Sequence, residues 1–188
     1  IRRQRQMCIR DRVVANGDVA AQEATQHLID KGARRIAFIG GPNHLDMVRR
    51  RKHGYLEALR ENRIAIDRSL VVCGKIDFEV ARKSTLDLLQ REERPDAILA
   101  FNDILTYAAF DAIKAASLRI PDDVAIIGFT DGDTAAFVTP RLSAIMDQAH
   151  EQGMKACELL MRNINGDPKI YQEVVPMILK IRESSEKS

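Results

Sequence analysis

Two short apolar runs, Ala97-Ile-Leu-Ala-Phe101 and Val124-Ala-Ile-Ile-Gly-Phe129, are separated by a segment of helical length over residues 104–116. Each run ends on polar residues, Asn102 and Asp103 after the first and Thr130 and Asp131 after the second. A crossover of that length rules out a hairpin, so the runs read as parallel strands of a β-α-β unit. Continuous apolar strands are buried on both faces and need helices on each side. In open parallel sheets, ligands lie outside the carboxyl ends of the strands. The four polar residues at those ends therefore mark a candidate small-molecule site.

The same rhythm runs through most of the chain. Residues 13–15 read as a short strand. Residues 19–31 read as a helix with Ala20, Ala24 and Leu28 inward, His27 beside them, and Gly32 closing it. Residues 35–40 are a buried strand and 49–62 a helix with Tyr55, Leu56 and Leu59 inward. Residues 70–73 are a strand and 78–90 a helix with Val80, Leu86 and Leu89 inward. This alternation implies an α/β, doubly wound parallel sheet with right-handed crossovers. After Phe129 the pattern changes. Residues 142–146 are extended, and 150–164 form an amphipathic helix carrying Met154, Cys157, Leu160 and Met161. Asn165-Gly-Asp-Pro168 is a turn, and 174–181 a final strand.

The net charge of +2 is unevenly placed: residues 1–12 hold five arginines and one aspartate, +4, leaving about −2 for the rest. A near-neutral body offers no general nucleic-acid surface. Cys8, Cys73 and Cys157 show no metal or redox spacing and read as reduced thiols. No metal and no cofactor is expected. No apolar stretch reaches membrane-spanning length, and no secretory signal follows the leading arginines, which points to a cytoplasmic location without membrane contact. Residues 1–12 lack periodicity. They read either as a basic arm for nucleic acid or as sequence foreign to the native protein. Residues 7–12 resemble a translated sequencing-adapter remnant, which favours the second reading, a non-native leader expected to pack against nothing.

Four strand-to-helix loops carry the candidate chemistry: residues 41–51, 75–78, 102–103 and 130–133. Asn offers a paired donor and acceptor, and Asp accepts from vicinal hydroxyls. An Arg fork fixes a hydroxyl pair, a carboxylate or a ring oxygen. On spacing alone, Asn102 and Asp131 serve equally well as helix or turn caps. The run Arg49-Arg-Arg-Lys52 at a helix start opposes the macrodipole. One of these arginines is expected in the cleft and at least two of the four groups on a solvated face. His44, in the loop after Gly41, is a candidate cleft liner. Ile39-Gly-Gly-Pro42 lacks the spacing of a dinucleotide or phosphate loop. His27, His53 and His150 have no nucleophile or metal partner at a useful spacing, so no catalytic set is expected and an enzyme reading has nothing to stand on.

In order and spacing, several motifs resemble the effector-binding core of the LacI/GalR (lactose-repressor) family of bacterial transcription regulators. They are the stretch from Ala24 through Arg35-Ile-Ala-Phe-Ile-Gly-Gly-Pro42, Arg51-Lys-His-Gly-Tyr55, Phe101-Asn-Asp103, Leu118-Arg-Ile-Pro-Asp-Asp-Val-Ala-Ile-Ile-Gly-Phe129, Thr139-Pro-Arg-Leu142 and Arg182-Glu-Ser-Ser185. The resemblance implies a type I periplasmic-binding-protein-like core, two α/β lobes joined by three crossovers. A small-molecule effector, a sugar or nucleobase-like metabolite, would lie between the lobes. An N-terminal helix-turn-helix headpiece would bind operator DNA as a homodimer. The resemblance sets Arg51 at the family arginine that contacts effector, Asn102 at the cleft asparagine, and Met47 and Ile76 at ligand-wall positions. The family's Gly-aromatic-Asp motif reads Gly128-Phe-Thr-Asp131 here, so the hydroxyl-binding role falls to Thr130 or Asp131. Asp147 stands where the family has the glutamine of a Gln-Pro pair and is the third cleft candidate.

The expected organisation is a leader over 1–12 and an effector-binding core over 13–185. Within the core, 16–146 is the main lobe, 147–172 a remnant of the first lobe and 173–182 the final strand, with a tail over 183–188. No headpiece precedes Val13 and most of the first lobe is absent, so the chain is expected to be a C-terminal fragment. The leading functional expectation is a metabolite-sensing regulator domain, with a sugar foremost. The alternative is a periplasmic sugar-binding protein of a transporter.

Overall fold

The structure, a computed structural model, describes residues 11–130 and 133–186. In chain order it runs β1 (Arg12–Ala15), α1 (Gly17–Asp30), β2 (Ile36–Gly40), α2 (Asp46–Glu61), β3 (Val71–Cys73), α3 (Phe78–Leu89) and β4 (Ala97–Ala100). It continues with α4 (Asp103–Ala115), β5 (Ala125–Phe129), β6 (Ser143–Met146), α5 (Ala149–Ile164), β7 (Gln172–Val175) and β8 (Ile178–Lys180). The chain divides into two compact units, Ile1–Asn16 with Asp147–Met177 and Gly17–Met146 with Ile178–Ser188.

The larger unit is built on a six-stranded sheet in the order β3-β2-β4-β5-β6-β8. The first five strands are parallel and β8 is antiparallel to β6. Every residue of β2, β4 and β5 is buried. α1 packs on α2, and α3 on α4. Strands buried on both faces need cover on both, and two helix pairs supply it. This is the α/β, doubly wound arrangement. From β2 the chain goes outward to β3 and returns on the other side to β4. The strand order therefore reverses between β2 and β4, and such a switch point opens a crevice at the carboxyl edge.

Close approach of α1 and α2 depends on Gly54, where a Cβ would run into the backbone carbonyl of Asp18. One residue on, Tyr55 is buried, stacks on Phe38 at 5.4 Å between ring centroids, and donates its hydroxyl to the Ile36 carbonyl at 2.8 Å. Burial pushes the Tyr55 hydroxyl well above the usual phenol range. α1 ends at Gly32 with φ +89, in the left-handed region that glycine adopts without penalty, and Ala33 N–H returns to the Leu28 carbonyl at 3.0 Å.

Three quoted motifs are joints of this unit. Asp96, before β4, accepts from Arg34 N–H at 2.8 Å and Arg35 N–H at 3.0 Å and so aligns the entry to β2. Asp123, before β5, accepts from the Arg119 backbone at 2.8 Å and its guanidinium at 2.9 and 3.0 Å. In the closing segment, the Ser184 hydroxyl donates to the Ile126 carbonyl at 2.6 Å and accepts from Ser143 N–H at 2.8 Å. Ser185 meets the Ser143 hydroxyl at 2.7 Å and His27 Nε2 at 3.0 Å.

The smaller unit pairs β1 with β7 in parallel. The Asn16 side-chain carbonyl accepts from Met177 N–H at 2.7 Å, and Gln148 Nε2 donates to the Pro176 carbonyl at 2.7 Å. Of α5, Leu159 alone is buried, while Met154, Leu160, Met161 and Ile164 are all more than half exposed.

Several expectations need correction. The final strand over 173–182 is two strands, one in each unit. Pro176 has no N–H for a ladder and Met177 N–H is spent on Asn16, so pairing stops between β7 and β8. The leader reading ran two residues too far. Arg12 opens β1, its N–H bonded to the Tyr171 carbonyl at 3.0 Å, and Asp11 accepts from Tyr171 N–H at 2.7 Å. Residues 1–10 lie outside the described residues. α3 buries Ala81, Thr85, Leu88 and Leu89; Val80 is exposed and Leu86 half-buried. Leu56 of α2 is likewise half-buried, not inward.

Two outcomes follow. Gly54→Ala should lower stability by about 1–3 kcal/mol, the usual cost of overpacking, and urea denaturation measures it. Arg119, through its side-chain and backbone hydrogen bonds, pulls the Asp123 carboxyl down to about 2. A depressed folded value stabilises above the unfolded carboxylate value of about 3.9 and is lost as pH falls toward the folded one. The gap in thermal midpoint between the native chain and Asp123→Asn should therefore be full at pH 6 and close progressively below about pH 4.

Candidate functional site

The carboxyl edge of the larger unit's sheet gathers most of the sequence-derived candidates. The chain leaves β2 at Gly41, where a Cβ would lie 3.1 Å from Ile76 Cγ1 and 3.3 Å from Val48 Cγ2. The absence of that Cβ lets Ile76, from the loop after β3, close over the turn, half-buried. α2 begins at Asp46, three residues before the basic run. Its first turn is acidic, which removes the conflict with the macrodipole. Met47 is exposed at 55 % in that first turn, and His44, before it, is exposed.

Helical periodicity then sorts the basic run. Arg49 pairs with Asp46 at 2.9 Å, Arg50 with Asp18 at 3.1 Å, and Lys52 Nζ donates to Asn43 at 2.6 Å. Arg51 alone turns inward and is only 6 % exposed. Its Nη1 donates to the Phe101 carbonyl at 2.5 Å, just past β4. Its Cζ lies over the Phe129 ring at 3.8 Å and over the Phe101 ring at 5.0 Å from the centroids. A residue that follows β2 thus reaches the ends of β4 and β5, across the switch point. Guanidinium tolerates this burial because it is weakly hydrated and stacks on aromatic faces.

Asn102 is the N-cap of α4. Its Oδ1 accepts from Leu105 N–H at 3.1 Å, and its backbone carbonyl accepts the Thr106 hydroxyl at 2.7 Å. The capping reading therefore holds for the carbonyl half of the side chain. The amide nitrogen takes no partner among the described residues. Gly128 belongs to the same assembly, because a Cβ there would run into the Thr106 side chain. Glycine at that point lets α4, and with it Asn102, seat against β5.

Thr130 follows β5 directly. Its N–H donates to the Ile145 carbonyl at 3.1 Å, and the residue is 2 % exposed. Its hydroxyl oxygen is buried with no hydrogen-bond partner among the described residues. Asp131 lies outside the described residues. Asp147 belongs to the smaller unit, where its carboxylate accepts from Gln152 Nε2 at 3.2 Å. The structure thus brings Arg51, Asn102 and Thr130 to one sheet edge, with Ile76 on the loop after β3 and Met47 in the first turn of α2. Phe101 and Phe129 escaped the sequence reading as partners of Arg51. The available signal was an aromatic residue closing two strands that both end on polar groups.

Chemically, the edge holds a buried cation, a side-chain amide, a hydroxyl and apolar walls. A few convergent polar groups on apolar walls are how polar small molecules are held. No helix among the described residues is long and apolar enough to cross a membrane.

Residues 25–185 match the family described as periplasmic binding protein-like domain. The ribose operon repressor of Haemophilus influenzae is 33 % identical over 165 residues, covering 88 % of this chain and 50 % of that protein. Among solved structures, a regulatory protein of the LacI family from Chloroflexus aggregans superposes with a TM-score of 0.88 at 34 % identity, over 92 % of this chain and 62 % of that one. A transcriptional regulator CelR–cellobiose complex gives a TM-score of 0.85 at 30 % identity, over 94 % of this chain and 54 % of that one. The chain spans about half the length of the curated relatives it matches.

The capping and binding roles of Asn102 can be separated. Asn102→Ala should cost about 1 kcal/mol in denaturation, the usual loss of an N-cap. Asn102→Asp should stay within about 0.5 kcal/mol of the native chain, since aspartate caps equally well.

Proposed function

We propose, since this chain belongs to the periplasmic binding protein-like domain family in the form of the LacI/GalR effector-binding core, that it is the metabolite-sensing part of a bacterial transcriptional regulator. The observation that carries the reading is Arg51, a buried cation set across the switch point. The effector class we favour is a sugar. Ribose operon repressors and a regulator in complex with cellobiose are among the proteins this chain is similar to. Arginine, a side-chain amide and a hydroxyl suit a ligand rich in hydroxyl groups, with Ile76 and Met47 as apolar walls. Asp131 and Asp147 are further proposed contacts. The repressor relatives favour a regulator over a transporter's binding protein and over an enzyme.

In this reading effector binding shifts a conformational equilibrium, and a DNA-binding headpiece, supplied outside the residues seen here, responds. The regulator acts in the cytoplasm as a homodimer. The larger unit exposes Phe78, Val80, Ile104 and Phe137, apolar side chains that a second copy would cover.

Calorimetric titration of the protein encoded by the whole reading frame, with D-ribose, cellobiose and adenine, tests the effector class. A sugar should bind, and Arg51→Ala or Asn102→Ala should weaken it by about 1–3 kcal/mol, the cost of a lost hydrogen bond to a charged or buried partner. Binding of adenine with neither sugar would refute the sugar assignment. Native affinity in both variants would refute the site.

A further inference from the structure

The closing motif Arg182-Glu-Ser-Ser185 has no part in the ligand edge, and strand alignment alone does not account for a histidine among its serines. The contacts run in a chain. His27 Nε2, in the last turn of α1, lies 3.0 Å from Ser185 Oγ. Ser185 Oγ lies 2.7 Å from Ser143 Oγ. Ser143 Oγ in turn lies 2.9 Å from the Arg182 carbonyl and accepts from Arg182 N–H at 2.8 Å. Ser143 and Ser185 are fully buried. A hydroxyl has one proton to give, and this fixes the direction of the chain. The Arg182 carbonyl only accepts, so Ser143 donates to it. Ser143 then accepts from Ser185, whose own proton is thereby committed. Ser185 can only accept from His27, which must carry its proton on Nε2. A nucleophilic serine would donate to the imidazole instead, so this buried pair runs opposite to a catalytic dyad.

We propose that His27 heads a proton-ordered latch that fastens residues 182–186 to α1 and β6, and that β8 and this segment open as one local unit when the latch is released. β8 is three residues long and stands at the sheet edge, paired with β6 alone. Two of its residues, Ile178 and Lys180, are exposed, so little apolar burial holds it. Elements of that kind open below the cost of global unfolding. What fixes the end of β8 is the segment after it. The Ser184 hydroxyl donates to the Ile126 carbonyl at 2.6 Å and accepts from Ser143 N–H at 2.8 Å. Toward α1 the segment has two ties. One is the ion pair of Lys31 with Glu186 at 3.0 Å, about a third to a half exposed and therefore weak. The other is the His27 hydrogen bond, whose acceptor is fully buried. β8 begins where the chain leaves the smaller unit at Met177, so the latch closes the end of the strand that takes up that connection.

Two measurements on the 188-residue chain without ligand test this. At about pH 8, above the ordinary imidazole range, the ring nitrogen resonances of His27 should report the Nε2–H tautomer. An Nδ1–H tautomer would overturn the proton order without any variant having to fold. Native-state amide exchange tests the latch. The amides of Arg182, Ser184 and β8 should share one opening constant, with a smaller urea dependence than the amides of Phe101 and Ala125, which are bonded within the sheet core. In His27→Leu, which keeps apolar bulk but has no donor, that shared constant should rise about tenfold, the scale of a lost buried hydrogen bond. His27→Gln, which keeps an N–H donor, should return it to within about twofold of the native value. β8 amides that exchange only together with those of Phe101 and Ala125, or that keep their native opening constant in His27→Leu, would overturn the proposal.

Discussion

A parallel sheet whose strands are buried on both faces can place polar chemistry only where its strands end. β2, β4 and β5 are buried along their whole length, and a polar side chain inside any of them would lack water and a partner. Everything capable of recognition is therefore displaced to the loops. The strand order then selects among loops, because it reverses between β2 and β4, and ligands of open α/β sheets bind at such a switch point. Arg51 reaches into this region from the α2 side, Asn102 caps the helix on the β4 side, and Thr130 stands at the end of β5. The placement of these three groups is a consequence of topology before it is a consequence of their chemistry.

The segments that look most like a signature divide into two kinds. Asp96, Asp123 and Ser184 bind backbone N–H groups and carbonyls at the edges of the larger unit's strands. Their work is alignment: each ties a loop to a neighbouring strand entry, and none lies at the carboxyl edge with Arg51. Gly54 and Gly128 are of the same kind, since each removes a Cβ that would collide with a neighbouring element. The second kind, Arg51, Asn102 and the Phe129-Thr130 pair, lies at the ligand edge. Phe129 and Asn102 belong to both, one as a buried ring beneath Arg51, the other as a helix cap at the carboxyl edge. A family signature read as a list of binding residues would conflate the two kinds.

Much of this was legible because burial writes itself into the sequence with a short period. The strands ending at Gly40, Phe101 and Phe129 are unbroken apolar runs, and the polar residues after them are where parallel strands release their chemistry. The parts that were not legible depend on local competition. The basic run at Arg49 masks the start of α2, yet Asp46 opens the helix and resolves the clash with the macrodipole. The division of the last strand turns on one side chain, Asn16, taking the N–H of Met177. That contact spans most of the chain length and has no local signature. Which of three consecutive arginines faces inward follows from helical phase: Arg51 shares the buried face of α2 with Val48, Tyr55 and Leu59.

Thr130 is where the local rules and the site disagree. Its hydroxyl is buried and finds no partner among the described residues, an arrangement that costs about 1–3 kcal/mol in a core. Valine has nearly the same shape and would avoid the cost, so packing alone does not account for threonine. The family pattern would put a carboxylate here. Threonine replaces that charge with a neutral group able both to donate and to accept. Arg51 donates to the Phe101 carbonyl and lies over the rings of Phe101 and Phe129. The hydroxyl stands at the carboxyl edge, where a bound ligand can offset its desolvation.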